Sequence, residues 1–192
     1  FSVRCDPSEY HRFSVVSVDD AGAESAQSMI IESRRLVTVR YSLCPAFAVP
    51  LGGMRDEFGS GYGMLMGFEF PGCFVRGLGL GCSTGFELFE GKGSVRRGDA
   101  VPLCLRASYE FSLGRRYSIA ASFEPGIWYL SKSDETKRRS SSLSPAAGLY
   151  LAGQRAISEK ILFSLTAGGG CLYSRGAFLP YVLAGAAFTM VL

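Results

Sequence analysis

The 192-residue chain contains no asparagine and a single histidine, His11. Without Asn, tight turns have to be built from Gly, Asp, Ser and Pro. With one imidazole, no Ser-His-Asp arrangement is arguable, and no enzymatic activity is expected. The six cysteines, Cys5, Cys44, Cys73, Cys82, Cys104 and Cys171, form no C-x-x-C pair. Tetrahedral zinc sites need clustered Cys and His ligands, so no metal is expected, and the spacing is too sparse for a disulfide scaffold. These thiols read as small side chains filling strand positions. Charge is scarce too: charged residues make up 19% and the net charge is +3. No basic stripe interleaved with aromatics appears, so nucleic acid is not an expected partner, and no cofactor is expected. The chain starts at Phe1 with neither a basic n-region nor an apolar h-region, so either a signal peptide has been removed or export never used that route. Nor is there a membrane-spanning helix: the best candidate, 161–192, is interrupted by Gly168-Gly169-Gly170, Pro180 and Gly185.

What the chain does have is glycine (24 residues) and Phe plus Tyr (14 and 9), arranged with the two-residue period of a β-strand from residue 36 onward. Between 36 and 51, Val37, Val39, Tyr41, Leu43, Phe47 and Val49 alternate with small or polar residues. Over 60–70, Tyr62, Met64, Met66, Phe68 and Phe70 alternate with Gly61, Gly63, Leu65, Gly67 and Glu69. Further segments follow at 74–89, 101–113, 117–130, about 142–152, about 160–173 and 177–192. Pro71-Gly72, Gly114-Arg115-Arg116, Gly153-Gln154 and Ser174-Arg175-Gly176 mark tight turns, and 52–59, 90–100 and 131–141 mark longer links. Residues 1–35 lack this pattern and read as an N-terminal extension: a plug, a periplasmic leader or an extra hairpin.

Alternation alone does not say which face is wet. A soluble lipocalin-like barrel packs its apolar face inside and needs a solvated outer face, whereas the second face here is mostly Gly, Ala and Ser. Eight strands of continuous apolar surface also far exceed what a soluble monomer exposes. An all-β, eight-stranded antiparallel transmembrane up-and-down β-barrel over 36–192 resolves both points, with apolar residues toward lipid and small or polar ones inward. Tyr62, Met64, Met66, Phe68 and Phe70 are then lipid-facing.

Charges in so narrow a lumen survive only when paired. A symmetric turn at residue 115 sets Arg106 opposite Glu124, and Arg40 falls level with Glu69. The expectation is an interior network of Arg40, Glu69, Glu87, Arg106, Glu110 and Glu124, serving either as a register lock or as a gate. A tight turn at 71–73 pairs Gly67 with Gly77 and Gly63 with Gly81. That leaves a bare wall which permits strong curvature, a bulky neighbour, or room for a ligand or the N-terminal segment. The basic stretches containing Arg96 and Arg97, and Lys132, Lys137, Arg138 and Arg139, are expected as surface loops, either simply solvated or binding lipid headgroups or host molecules.

The alternating segments, the first strand "VRYSLCPAFAVPLGG" and the ending "YVLAGAAFTMVL" together resemble small bacterial outer-membrane barrels of the OmpW/OmpA/OmpX type. The ending resembles their C-terminal insertion signal, although it finishes in Leu192 instead of Phe. Strand cysteines, unusual in enterobacterial members, suggest a spirochaetal version. The resemblance implies a bacterial outer-membrane location for a mature chain, outer-membrane lipid as a partner, and recognition of 181–192 by the barrel-assembly machinery. With Tyr150, Leu162, Leu172 and Leu183 on the expected lumen face, it further implies an OmpW-like channel for small hydrophobic solutes. The competing function is an adhesin binding host surface molecules through its basic loops, and a soluble ligand-binding barrel is the third. In gel migration and size-exclusion measurements, the refolded chain is expected to be heat-modifiable in detergent. A soluble, monodisperse monomer without detergent would sink the membrane reading.

Overall fold

The computed structural model describes residues 38–192, except 73, 74, 76, 115, 135, 137 and 175, together with the backbone of 12–14 and 30–32. The chain divides into two units, Phe1–Thr38 and Val39–Leu192. In the first, β1 (Arg12–Ser14) pairs antiparallel with β2 (Ile30–Glu32). The plug and leader roles considered for residues 1–35 lie outside the described residues.

The second unit contains β3 (Arg40–Pro50), α1 (Met54–Glu57), β4 (Phe58–Pro71), β5 (Leu78–Gly91), β6 (Val95–Ser112), β7 (Tyr117–Asp134), β8 (Arg139–Ser158), β9 (Ile161–Ser174) and β10 (Ala177–Val191). Each strand pairs antiparallel with the next, and β10 returns to β3 from Tyr181↔Pro50 to Val191↔Arg40, closing an eight-stranded barrel. Reciprocal backbone bonds between Val39 and Leu192 (3.0 and 2.9 Å) finish the seam. Among the described residues no helix is long and apolar enough to cross a membrane.

Alternation sorts the side chains as the period requires. Leu105 is 69% exposed, Leu149 67% and Phe188 58%, while Ser83, Ser108 and Ser164 on the opposite parity are buried. Tyr62, Met66 and Phe70 are exposed and Met64 and Phe68 partly so, all on the outer face. The lipocalin alternative fails here, because the outer face is the apolar one.

The two ends differ. At the turn end, defined by links 72–77, 113–116 and 159–160, outward apolar residues run up to the turns: Phe70, Phe111, Leu113, Tyr117 and Ile161. Aromatic pairs Tyr41–Phe68 (5.2 Å), Phe68–Phe70 (4.7 Å) and Tyr109–Phe111 (4.7 Å) form a girdle there. At the loop end, with links 51–57, 92–94, 135–138 and 175–176, the apolar surface stops near Tyr62, Tyr129 and Tyr173. Beyond it β6, β7 and β8 continue with Asp99, Arg97, Ser131, Ser133, Ser141 and Arg139 on their outer face.

Three expected boundaries move. The β4–β5 link spans 72–77, with Gly72 and Gly77 at φ 64° and 86°, so Gly67 faces Ser83 and Gly63 faces Glu87, not Gly77 and Gly81. The longer link shifts the register and places Gly81 opposite Glu69. The stretch at 90–100 is mostly strand, because hairpins that leave the apolar layer are polar on both faces and lose their periodic signal. Gly153 is not a turn: β8 continues past it to Ser158. A charge placed in the outer apolar layer should be costly: Leu105→Arg is expected to lower stability in lipid vesicles by about 2–4 kcal/mol, read by denaturant titration.

Candidate functional site

The lumen has two halves. The turn-side half is polar and holds a cavity of ≈ 110 Å³, bordered by Arg40, Glu69, Ser83, Arg106, Glu124 and Gln154. That is room for several waters. Arg106 donates from Nε to Glu124 Oε1 (2.7 Å), and Ser83 donates to the other oxygen, Oε2 (2.7 Å). Arg40 donates to Glu110 Oε2 (2.6 Å) and lies 3.9 Å from Glu69 Oε1, its cross-strand neighbour. Two guanidiniums are thus shared among three carboxylates.

Glycine makes the space for this. A Cβ on Gly67 would stand 2.9 Å from Arg106 Nη1, and one on Gly79 would stand 2.5 Å from both Glu69 Oε1 and Ser108 Oγ. The bare wall of β4 and β5 is therefore occupied by the charged side chains themselves.

Glu87 stands apart from the expected network. Its register partners are Gly63 and Ala100, whereas Arg106 faces Gly81, six residues nearer the turn end. It is 1% exposed, and neither carboxylate oxygen has a hydrogen-bond partner among the described residues. Ser144 Oγ is also buried without a partner.

The loop-side half is a packed stopper. Met54 on α1 is 1% exposed, and Phe58, Phe89, Trp128, Leu130, Leu172 and Tyr181 are buried beside it in one apolar cluster. Ring centroids lie 5.8 Å apart for Phe58–Phe89 and 5.0 Å for Trp128–Tyr181. The Tyr150 and Tyr181 hydroxyls meet at 2.9 Å, one donating to the other. Of the apolar lumen residues singled out in sequence, Tyr150, Leu172 and Leu183 are buried and Leu162 is partly exposed. Met54, Phe58, Phe89, Trp128 and Tyr181 escape a sequence reading that follows only the small and charged lumen positions. For Phe89, Trp128 and Tyr181 the one signal is bulk at the parity otherwise given to small residues. Phe58 shares the outward parity of β4 and is buried beyond the irregularity between Phe58 and Gly61, and Met54 lies on α1.

Lys132 is not a surface-loop residue. Even positions of β7 point inward, so Lys132 enters the mouth, pairs with Glu57 of α1 and lies 5.3 Å above the Phe58 ring. Arg96 and Arg97 sit in β6 at an irregularity in its pairing with β7, and Arg97 pairs with Asp99 (2.7 Å). Arg138 and Arg139 are exposed at the β7–β8 tip, and Lys137 lies outside the described residues. At that tip the Asp134 carboxylate accepts bonds from the Thr136 hydroxyl and the Arg138 amide (both 2.8 Å). The Thr136 bond is the main reason its carboxyl is held below the usual carboxylate range.

A closed antiparallel barrel with an apolar outer layer, aromatic girdles and a narrow filled lumen is a transmembrane β-barrel of the outer-membrane type. No family model and no curated protein matches the sequence. Solved structures do match. Neisserial surface protein A superposes with a TM-score of 0.60 at 11% identity, over 80% of this chain and 95% of that one. A major outer membrane protein from Thermus thermophilus gives 0.57 at 15% identity, over 80% and 99%. Ail, the attachment invasion locus protein of Yersinia pestis, solved with the heparin analogue sucrose octasulfate, gives 0.52 at 11% identity, over 81% and 97%. At such identities the likeness is one of fold. These structures lend no support to a spirochaetal assignment.

Lumen charges should respond oppositely to neutralisation. Glu124→Gln is expected to destabilise the refolded barrel, because it leaves Arg106 unpaired, by on the order of 3 kcal/mol. Glu87→Gln should be neutral or stabilising, since Glu87 has no hydrogen-bond partner among the described residues to lose; denaturant titrations of both variants in one detergent check this. A charge-swapped Arg106→Glu/Glu124→Arg chain should be more stable than either single variant.

Proposed function

We propose that this is a non-enzymatic protein of a bacterial outer membrane that conducts no solute through its lumen and acts by the surface of its loop end. The observation that carries this reading is the stopper: Met54, Phe89, Leu172 and Tyr181 are each no more than 3% exposed inside the barrel. An OmpW-like path for apolar solutes needs open apolar lumen surface, whereas Leu172 and Leu183 are spent on packing. The loop end is taken as the outward one because small barrels keep short turns on the periplasmic side and extend at the outer face. Here the polar continuations of β6, β7 and β8 all lie at the loop end.

That rim carries Arg55, Lys92, Arg96, Arg138 and Arg139, all exposed. A sulfated polysaccharide is the first ligand to try, because the Ail structure holds a heparin analogue. Lipid surrounds the apolar layer in this reading, and the C-terminal stretch 181–192, which is the end of β10 and Leu192, is the segment offered to the assembly machinery. Planar-bilayer recordings should show no stepwise conductance, and vesicles carrying the protein should take up apolar solutes no faster than empty ones. Clear single-channel steps or accelerated uptake would restore the channel. The same vesicles should be retained on immobilised heparin at low salt, and Arg138→Gln/Arg139→Gln should weaken that retention.

A further inference from the structure

Among the described residues, the outer apolar layer carries one charged side chain that its alternation does not explain. Arg155 occupies an outward position of β8, after Leu149, Leu151 and Gly153 and before Ile157. An arginine on the lipid face is tolerated only near an interface. Its register partners, Tyr117 and Phe163, place it at the first row inside the turn end, where the headgroups begin. The guanidinium carbon lies 5.8 Å over the Tyr117 ring, and Arg116 of the adjoining link borders the same pocket of ≈ 290 Å³, floored by Ile157 and Phe163. Neither arginine has an ion-pair partner among the described residues. Glu159 and Lys160 in the neighbouring turn cancel each other's charge.

Below the two arginines the lipid face is notched. Gly153 sits in the next row between Ile119 and Leu165, and a Cβ added there would meet nothing within 4 Å. One row further, Ala121 and Ala167 flank Leu151 in an apolar groove of ≈ 540 Å³ that takes in Phe123 and Leu149 and reaches across β6 to Ala107, Tyr109 and Leu78. From Arg155 to Leu149 is about 20 Å of strand. At a tilt of 35–45° that is a depth of about 15 Å, half of a ~30 Å hydrocarbon core.

We propose that Arg116 and Arg155 hold the phosphate of an anionic phospholipid in the leaflet at the turn end, with one acyl chain passing over the notch at Gly153 into the groove beside Leu151. The planar guanidiniums suit a phosphate monoanion, and the cation stacked on Tyr117 is pre-positioned for it. The inference rests on the chain being a membrane barrel, and is independent of whether its lumen conducts.

The test is native mass spectrometry of the refolded, full-length chain released from micelles containing phosphatidylglycerol or phosphatidylcholine, each variant first checked for heat-modifiable migration. Wild type should keep a phosphatidylglycerol adduct, with Arg116→Gln/Arg155→Gln reducing it about tenfold or more. Phosphatidylcholine should be kept far less, and Arg138→Gln/Arg139→Gln at the opposite end should change nothing. Gly153→Leu, which keeps both charges but fills the notch, should also lose adduct, and unchanged retention there overturns the groove as the seat of the chain. Excess inorganic phosphate should leave the adduct in place; displacement by phosphate alone would reveal a simple anion site and overturn the lipid. Equal retention in the double arginine variant, or of the two lipids, overturns the proposal. A wild-type chain that never becomes heat-modifiable defeats the membrane reading itself, whereas a heat-modifiable barrel without lipid preference defeats only this inference.

Discussion

In hydrocarbon no backbone N–H or C=O can be left without a partner, and the β3–β10 ladder is where this chain meets that demand. Once the last strand pairs with the first, no edge remains, and every strand must divide its side chains between lipid and a lumen eight strands wide. The rest of the structure answers that division. Bulky residues can only go outward in most rows, so the inner rows fall to glycine, alanine and serine. The few long side chains admitted inside, Arg40 and Arg106 among them, occupy room that Gly67 and Gly79 leave open.

The lumen follows two opposite rules along its length. Toward the turn end it is polar, and its charges are tolerable because Glu110 and Glu124 accept charge-assisted bonds at 2.6 and 2.7 Å. Toward the loop end it is packed like a small protein core, with Trp128 against Tyr181 and Met54 set in from above. Glu87 belongs to neither regime, a buried carboxylate among groups that offer it no hydrogen bond. The polar cavity and the packed loop-side half meet at Trp128, Tyr150 and Leu183.

Much of this was legible in the chain itself. Strict alternation over Tyr62–Phe70 announced which side chains meet lipid, and the sign of residues 106 and 124 announced a pair across β6 and β7. Other features were hidden for physical reasons. The β4–β5 register depends on how many residues the link consumes, which two glycines at positive φ decide and periodicity does not. Lys132 sits in a basic, polar stretch that looks like a loop, yet strand parity turns it into the mouth against Glu57. Arg155 looks like the start of a turn after Gly153, and only the continued pairing of β8 with β7 and β9 places it on the lipid face.

The sequence by itself determined the period, the strand number and the sidedness, because each follows from where apolar side chains recur, and lipid enforces that recurrence at every row. Only the tertiary structure decided whether the lumen is open or stoppered, and which carboxylates keep a cation. Those outcomes depend on distances across the barrel between residues far apart in the chain, such as Phe58 with Phe89, Trp128 with Tyr181 and Arg40 with Glu110. Local alternation carries no information about them; closure of the sheet creates it.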